Sequence, residues 1–350
     1  MGNCFAKPKK LSSPVMAPVS VSVPVTLAKP KKKSTAEIVP HDHHSTVRLY
    51  GTPISSHTAY IRFALQHKGV PVRFTPSISD PPLIEVGSER VSGSRESLLQ
   101  YIESKFPNPP LAVKKCNGED AKPWVVTLTA LQHRSMTWHV ERLLRWSEDL
   151  GARGGKKRGG CGGGIDPRVG TPKMEVKKFN RSYSQLLELM LEHAQMEERV
   201  LFPILNSADP GICKAANEEH ARHLPIMNGI KEDIKSIGVL DNGSPAYLEA
   251  FSNLSKRLKA LLEHCKEHFV EEEIQVLPYI EATELSKPKQ RRVLEQSLDV
   301  MQGTHSRLFN FFLEGLLPLD AMQYLDLVAM CHDEERMSSM LQMIEETNNL

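Results

Sequence analysis

The sequence predicts a mainly α protein: an up-down four-helix bundle over residues 120–283 and a helical extension over 284–350, preceded by a small α/β module over 47–112 and a disordered N-terminus over 1–45. Three observations predict it. After Pro123 apolar residues recur at helical spacing to the end of the chain, whereas between Val47 and Lys105 short β-type runs alternate with helical ones. From Lys10 to Thr35 the chain is mainly Pro, Ser, Val and Lys, without one acidic residue, a composition that cannot bury a core.

Composition narrows the function before any motif is read. At 350 residues there is room for two or three domains. Lys plus Arg is 44 against 42 for Asp plus Glu, and a net charge of +2 gives no reason to expect a nucleic-acid partner. Cys4, Cys116, Cys161, Cys213, Cys265 and Cys331 form no CxxC pair, and no secretory segment opens the chain, which points to a reducing intracellular compartment. No apolar run approaches the ~18 residues that span a bilayer, so membrane contact would be peripheral. The unusual count is histidine, at 14.

The opening MGNCFAKPKK is similar to a dual-acylation signal, with Gly2 behind the initiator Met, Cys4 two residues on, and Lys7, Lys9 and Lys10 just after. The resemblance implies myristate on Gly2 and palmitate on Cys4, two chains plus basic residues being what stable anchoring takes. The expected location is the cytosolic face of the plasma membrane, with cytoplasm or nucleus as the alternative. Ala6 departs from the Ser or Thr preferred at that position.

In the α/β module, strand Val47 to Tyr50, turn Gly51 to Ser56, helix His57 to Lys68, strand Val70 to Phe74, two further short strands and helix Arg95 to Lys105 give a βαβ-ββα order. It resembles the thioredoxin-like N-terminal domain of glutathione transferases through GTPIS, Pro82 and Glu96-Ser97. That resemblance implies Ser55 as a thiol-activating hydroxyl and Glu96 and Ser97 as the pair holding the γ-glutamyl end of glutathione. Between the second strand and the prolines only Thr75 to Pro81 remain, where the family has about one helix more. A docking or dimerisation module is therefore preferred to a glutathione-dependent enzyme.

The chemistry sits in the bundle. HAQMEERVLFP carries His193, Glu197, Glu198 and Pro203; HFVEEEIQVLP carries His268, Glu272, Glu273 and Pro278 at the same spacing. A separation of four puts His and Glu on one helical face, where both reach one metal centre. Helix one offers His133 and His139; His133 is preferred because Met136, Val140 and Leu143 follow on its stripe. Helix three offers His220 and His223, and the register of Leu224 and Met227 prefers His220. The set His133, His193, Glu197, His220, His268 and Glu272, four imidazoles and two carboxylates, exceeds a tetrahedral zinc site and suits two bridged first-row metals, usually iron. The competing reading, solvated i,i+4 pairs, does not explain two in register. His264, a turn before His268, is a further alternate.

The repeat resembles the hemerythrin-like, or HHE cation-binding, domain, closer to iron-sensing members with HxxxE on helices two and four than to invertebrate oxygen carriers. The resemblance implies a di-iron centre, or another divalent metal, that binds or senses oxygen, another small diatomic, or iron, and a sensor more than an enzyme. Glu273 sits where the carriers' last carboxylate would lie, leaving it an alternate to Glu272. The extension resembles the helical tail that follows such domains in plant iron-regulation proteins. His305 and His332 read as structural, and Phe309, Phe311, Phe312, Leu316 and Leu317 read as core in preference to a docking face. A protein partner would come to the α/β module or the C-terminal helices, and a scaffold with a purely structural metal is the remaining hypothesis.

Overall fold

A computed structural model describes residues 46–78, 80–111, 122–154, 171–331, 335 and 337–341. Gly2 and Cys4, the glycine-rich linker after Gly154, and His332 lie outside the described residues.

The α/β module runs β1 (Val47–Gly51), α1 (Ser56–His67), β2 (Val72–Pro76), β3 (Leu83–Val86), β4 (Glu89–Ser92) and α2 (Arg95–Lys105). Its sheet has the order β2-β1-β3-β4, with β1 and β2 parallel and the other pairs antiparallel. The parallel pair follows from the α1 crossover, which a hairpin cannot replace. Val47, Leu49, Ile84, Ile61, Leu65, Leu98 and Ile102 fill the space between sheet and helices.

Four long helical arms follow: α3 (Trp124–Gly154); α4 (Pro172–Met196), continued through a π turn (Glu197–Leu201) into α5 (Phe202–Ala208); α6 (Lys214–Val239); and α7 (Pro245–Glu271), continued through a second π turn (Glu272–Val276) into α8 (Leu277–Ala282). Thr171 and Ser244 cap the starts of α4 and α7 by accepting from Met174 N–H and Tyr247 N–H, with Pro172 and Pro245 directly after them. α3 and α6 each pack against both α4 and α7. Directions alternate: Trp146 near the end of α3 meets Phe179 near the start of α4, and Gly151 abuts Phe251 near the start of α7.

The extension comprises α9 (Lys287–Val300), α10 (Phe309–Glu314) and α11 (Pro318–Ala329), and it wraps α3. Ser135 donates to Phe312 O, and His139 Nε2 lies 2.7 Å from Phe311 O. At Gly315 the chains come so close that a Cβ would stand 2.8 Å from the Ser135 carbonyl oxygen. α11 also packs on α1, where Asp326 accepts from Tyr60 Oη at 3.0 Å and pairs with Arg95 at 2.9 Å. Phe309, Phe311, Phe312 and Leu316 are core, but Leu317, at the residue before α11, is exposed. His305 is structural, set between Met301 O and Tyr324 Oη.

Candidate metal centre

Helical spacing delivers His133 on α3, His193 on α4, His220 on α6 and His268 on α7 to one end of the bundle, where α3 and α6 begin and α4 and α7 end. Each motif glutamate opens a π turn: Phe202 N–H donates to Glu197 O and Leu277 N–H to Glu272 O, five residues back. The prolines account for this. A helical proline ring collides with the carbonyl four residues earlier, here that of Arg199 or Ile274, and one widened turn before Pro203 and before Pro278 relieves the collision.

Donor atoms of His133, His193, Glu197 and Glu272 lie within 4.8 Å of one another, and so do those of Glu197, His220 and His268. Glu197 belongs to both groups. Its Oε1 stands 2.9 Å from His193 Nε2 and 3.7 Å from His133 Nε2, while its Oε2 stands 3.2 Å from His220 Nε2. Glu272 Oε2 faces His133 Nε2 at 3.4 Å and His268 Nε2 at 3.9 Å. Two donors about 2.1 Å from one ion sit about 3 Å apart at right angles and about 3.4 Å apart at a tetrahedral angle, so the 2.9, 3.2 and 3.4 Å spacings match the edges of coordination shells.

The other ring nitrogens are held from outside. His133 Nδ1–H donates to Glu273 Oε1 (2.9 Å), His220 Nδ1–H to Glu198 Oε1 (3.0 Å) and His193 Nδ1–H to Gln132 Oε1 (2.9 Å). Such partners fix the tautomer that presents Nε2 inward. Phe269 stacks on His133, ring centres 4.1 Å apart.

Seven buried atoms of five residues have no hydrogen-bond partner: Nε2 of His133, His193 and His268, and both carboxylate oxygens of Glu197 and Glu272. At about 1–3 kcal/mol for each unsatisfied group, the sum is of order ten kcal/mol, comparable with the stability of a whole domain. Ion pairing within the cluster recovers part of it. A cation, accepting every one of these lone pairs, recovers the rest, so the donor set fits a metal.

Without metal, protons take that place. Burial opposes charge on His133, but the facing carboxylates of Glu197, Glu272 and Glu273 hold it well above the usual imidazole range. His220 is likewise raised against burial, by Glu197 and then Glu198, to about 9. At His193 and His268 burial wins, holding His268 near about 3. Burial works against the charge of Glu197, but His193, His133 and His220 keep it ionised; burial and then the Glu197 charge push Glu272 up to about 7.

The remaining sequence candidates fall elsewhere. His139 is buried under the extension, stacked on Phe311 at 3.7 Å, and burial pushes it down to about 3. Glu273 faces the outer nitrogen of His133 and not the cluster. His223 and His264 group with Glu219 beside the centre. Ser55 accepts from Thr58 N–H at the start of α1, and Ser97 donates to Ser94 O at the start of α2, so both serve helix ends; Glu96 is exposed. Cys265 is a buried thiol raised to about 12. Gln132 and Glu198 are supporting residues to which the sequence assigned no role; the repeated Glu-Glu doublet was a visible signal for Glu198 alone.

A cavity of about 310 Å³ opens against His193, His220, His223 and His268, its other walls including Met136, Met190, Met227 and Phe269.

Residues 125–280 match the family model described as Hemerythrin HHE cation binding domain. A stretch of 130 residues is 27% identical to the Zinc finger protein BRUTUS of Arabidopsis thaliana, covering 36% of this chain and 10% of that protein. Over this region the chain is similar to hemerythrin-type cation-binding domains, and the family match and the His/Glu cluster together support metal binding.

Proposed function

We propose that the bundle binds two iron ions and acts as a sensor of oxygen, of another small diatomic, or of iron itself. The observation that carries this is the position of Glu197: one of its oxygens faces His193 and His133 and the other faces His220, as a carboxylate shared between two ions would. His133 and His193 with Glu197 would hold one ion, and His220 and His268 with Glu197 the other, Glu272 serving as the second bridge. Bound iron supplies redox chemistry and open positions for a small ligand. Around it, Glu198, Glu273 and Gln132 orient the imidazoles, and Met136, Met190, Met227 and Phe269 give the cavity apolar walls opposite its polar ones, in a space sized for a small molecule.

Sensing follows from the same chemistry. With metal bound, the four arms are tied together; without it, buried carboxylates and protonated imidazoles share one core and stability falls. The extension wraps α3 and carries the α/β module, so both would feel that change. The module, thioredoxin-like in its strand order, is proposed as a docking module, and the acylation-type start as an anchor to the cytosolic face of the plasma membrane.

The test is metal analysis and visible spectroscopy of the full chain, purified anaerobically with ferrous iron and then exposed to air. Two irons per chain and new charge-transfer absorption on oxygenation are expected. One zinc, or a chain equally stable with chelator, overturns the reading.

A further inference from the structure

The centre has a neighbour that its chemistry does not use. Glu219 and His223 stand four residues apart on α6, an ExxxH inversion of the motif on the α4 and α7 arms, and His264 stands four residues before His268 on α7. One donor atom from each of Glu219, His223 and His264 lies within 4.8 Å of the others. His223 is 5% exposed and its Nε2 is buried without a hydrogen-bond partner, whereas neither Glu219 nor His264 is buried. Rings continue inward from this group: His264 to His223 at 6.3 Å between centres, His223 to His268 at 5.5 Å, His268 to His220 at 5.1 Å. His223 also lines the cavity that reaches the centre.

We propose that Glu219, His223 and His264 form a third divalent-cation site, a loading position from which an ion passes to the inner pair. The proposal rests on the dinuclear reading of the centre. Two imidazoles and one carboxylate leave the remaining positions of a first-row ion to water, so the ion arrives partly hydrated and is held by a single negative charge, which it takes over from the exposed Arg222, 2.7 Å from Glu219 Oε1. The inner cluster offers two buried carboxylates and four imidazoles, so transfer inward is downhill. His223, whose ring contacts both His264 and His268, is the step between solvent and centre.

The test titrates the full chain with cobalt(II) under anaerobic conditions, following bound metal by equilibrium dialysis and loading rate by visible absorption. Wild type is expected to bind two ions tightly and a third more weakly. His264→Ala and the near-isosteric Glu219→Gln should each abolish the third ion, keep the two tight ones and the wild-type melting temperature, and fill the inner pair slower by about tenfold, the lower end of what losing a metal centre's supporting group costs. Two tight ions only in the wild type, or loading rates untouched in both variants, overturns the loading site while leaving the dinuclear reading in place. Fewer than two ions in the wild type overturns both.

Discussion

The two ends of the bundle are made of opposite materials. At one end Leu150, Val176, Phe179, Ile234, Ile237, Phe251 and Leu254 converge in an all-apolar plug; at the other, three imidazoles and two carboxylates are as deeply buried beside the half-buried His220 and lack enough partners among themselves. Burying the first set is favourable by itself, at roughly 25 cal/mol per Å² of apolar surface. Burying the second is favourable only when something supplies the missing charge. The fold is thus held by one end and made conditional at the other.

Four experiments break or sharpen this contrast. The largest effect is expected from Glu197→Ala: two bound ions should fall to one or none, and the metal-dependent stabilisation, about 4 kcal/mol at a free-metal concentration a thousandfold above Kd, should vanish. A variant retaining both would show that Glu197 is not the shared group. At the apolar end, Phe251→Ala should cost about 3–5 kcal/mol in urea unfolding of the metal-free chain, yet leave the metal count per folded molecule unchanged. Loss of metal there would mean that the ends are not separable.

Acidity gives the third contrast. Metal must displace protons from His220, held up to about 9, and from Glu272, held up to about 7. Raised values mean that the metal-free state keeps its protons below them, so affinity should climb with pH by about tenfold per unit for each proton still bound: Glu272 contributes only below about 7, His220 up to about 9, and His133, also held well above the usual imidazole range, adds to the climb. A flat affinity across that window, measured by competition with a chelator of known pH dependence, would remove these protons from the account. Smallest is Glu273→Gln, which weakens the outer hold on His133; about tenfold lower metal affinity with little change in melting temperature is expected.

The same contrast explains what the sequence could reveal. Helical periodicity and the doubled HxxxE were visible because both are local, and His133 could be chosen over His139 because Met136, Val140 and Leu143 mark its stripe. The burial of His139 had no such mark, since the residues that cover it, Phe311 and its neighbours, come from the extension and follow no helical repeat with it. Leu317 looked like core and is exposed because it is the extended residue capping α11, where no helical face exists to turn it inward. Glu273 stood as an alternate ligand because the oxygen carriers' last carboxylate falls at its position, whereas here it meets the outer nitrogen of His133. Gln132 carried no signal at all: a glutamine before a histidine means nothing until α4 brings His193 against it.

The widened turns have a consequence of their own. Pro203 and Pro278 deny both arms a regular register whether or not a cation is present, so the backbone around Glu197 and Glu272 does not relax into plain helix when the centre is emptied. The ordering of the two carboxylates is therefore completed during folding, and little conformational entropy is left to lose at the moment of capture. Such a protein weakens when stripped but keeps the shape of its binding site, so it can be refilled many times without rebuilding the helices that present it.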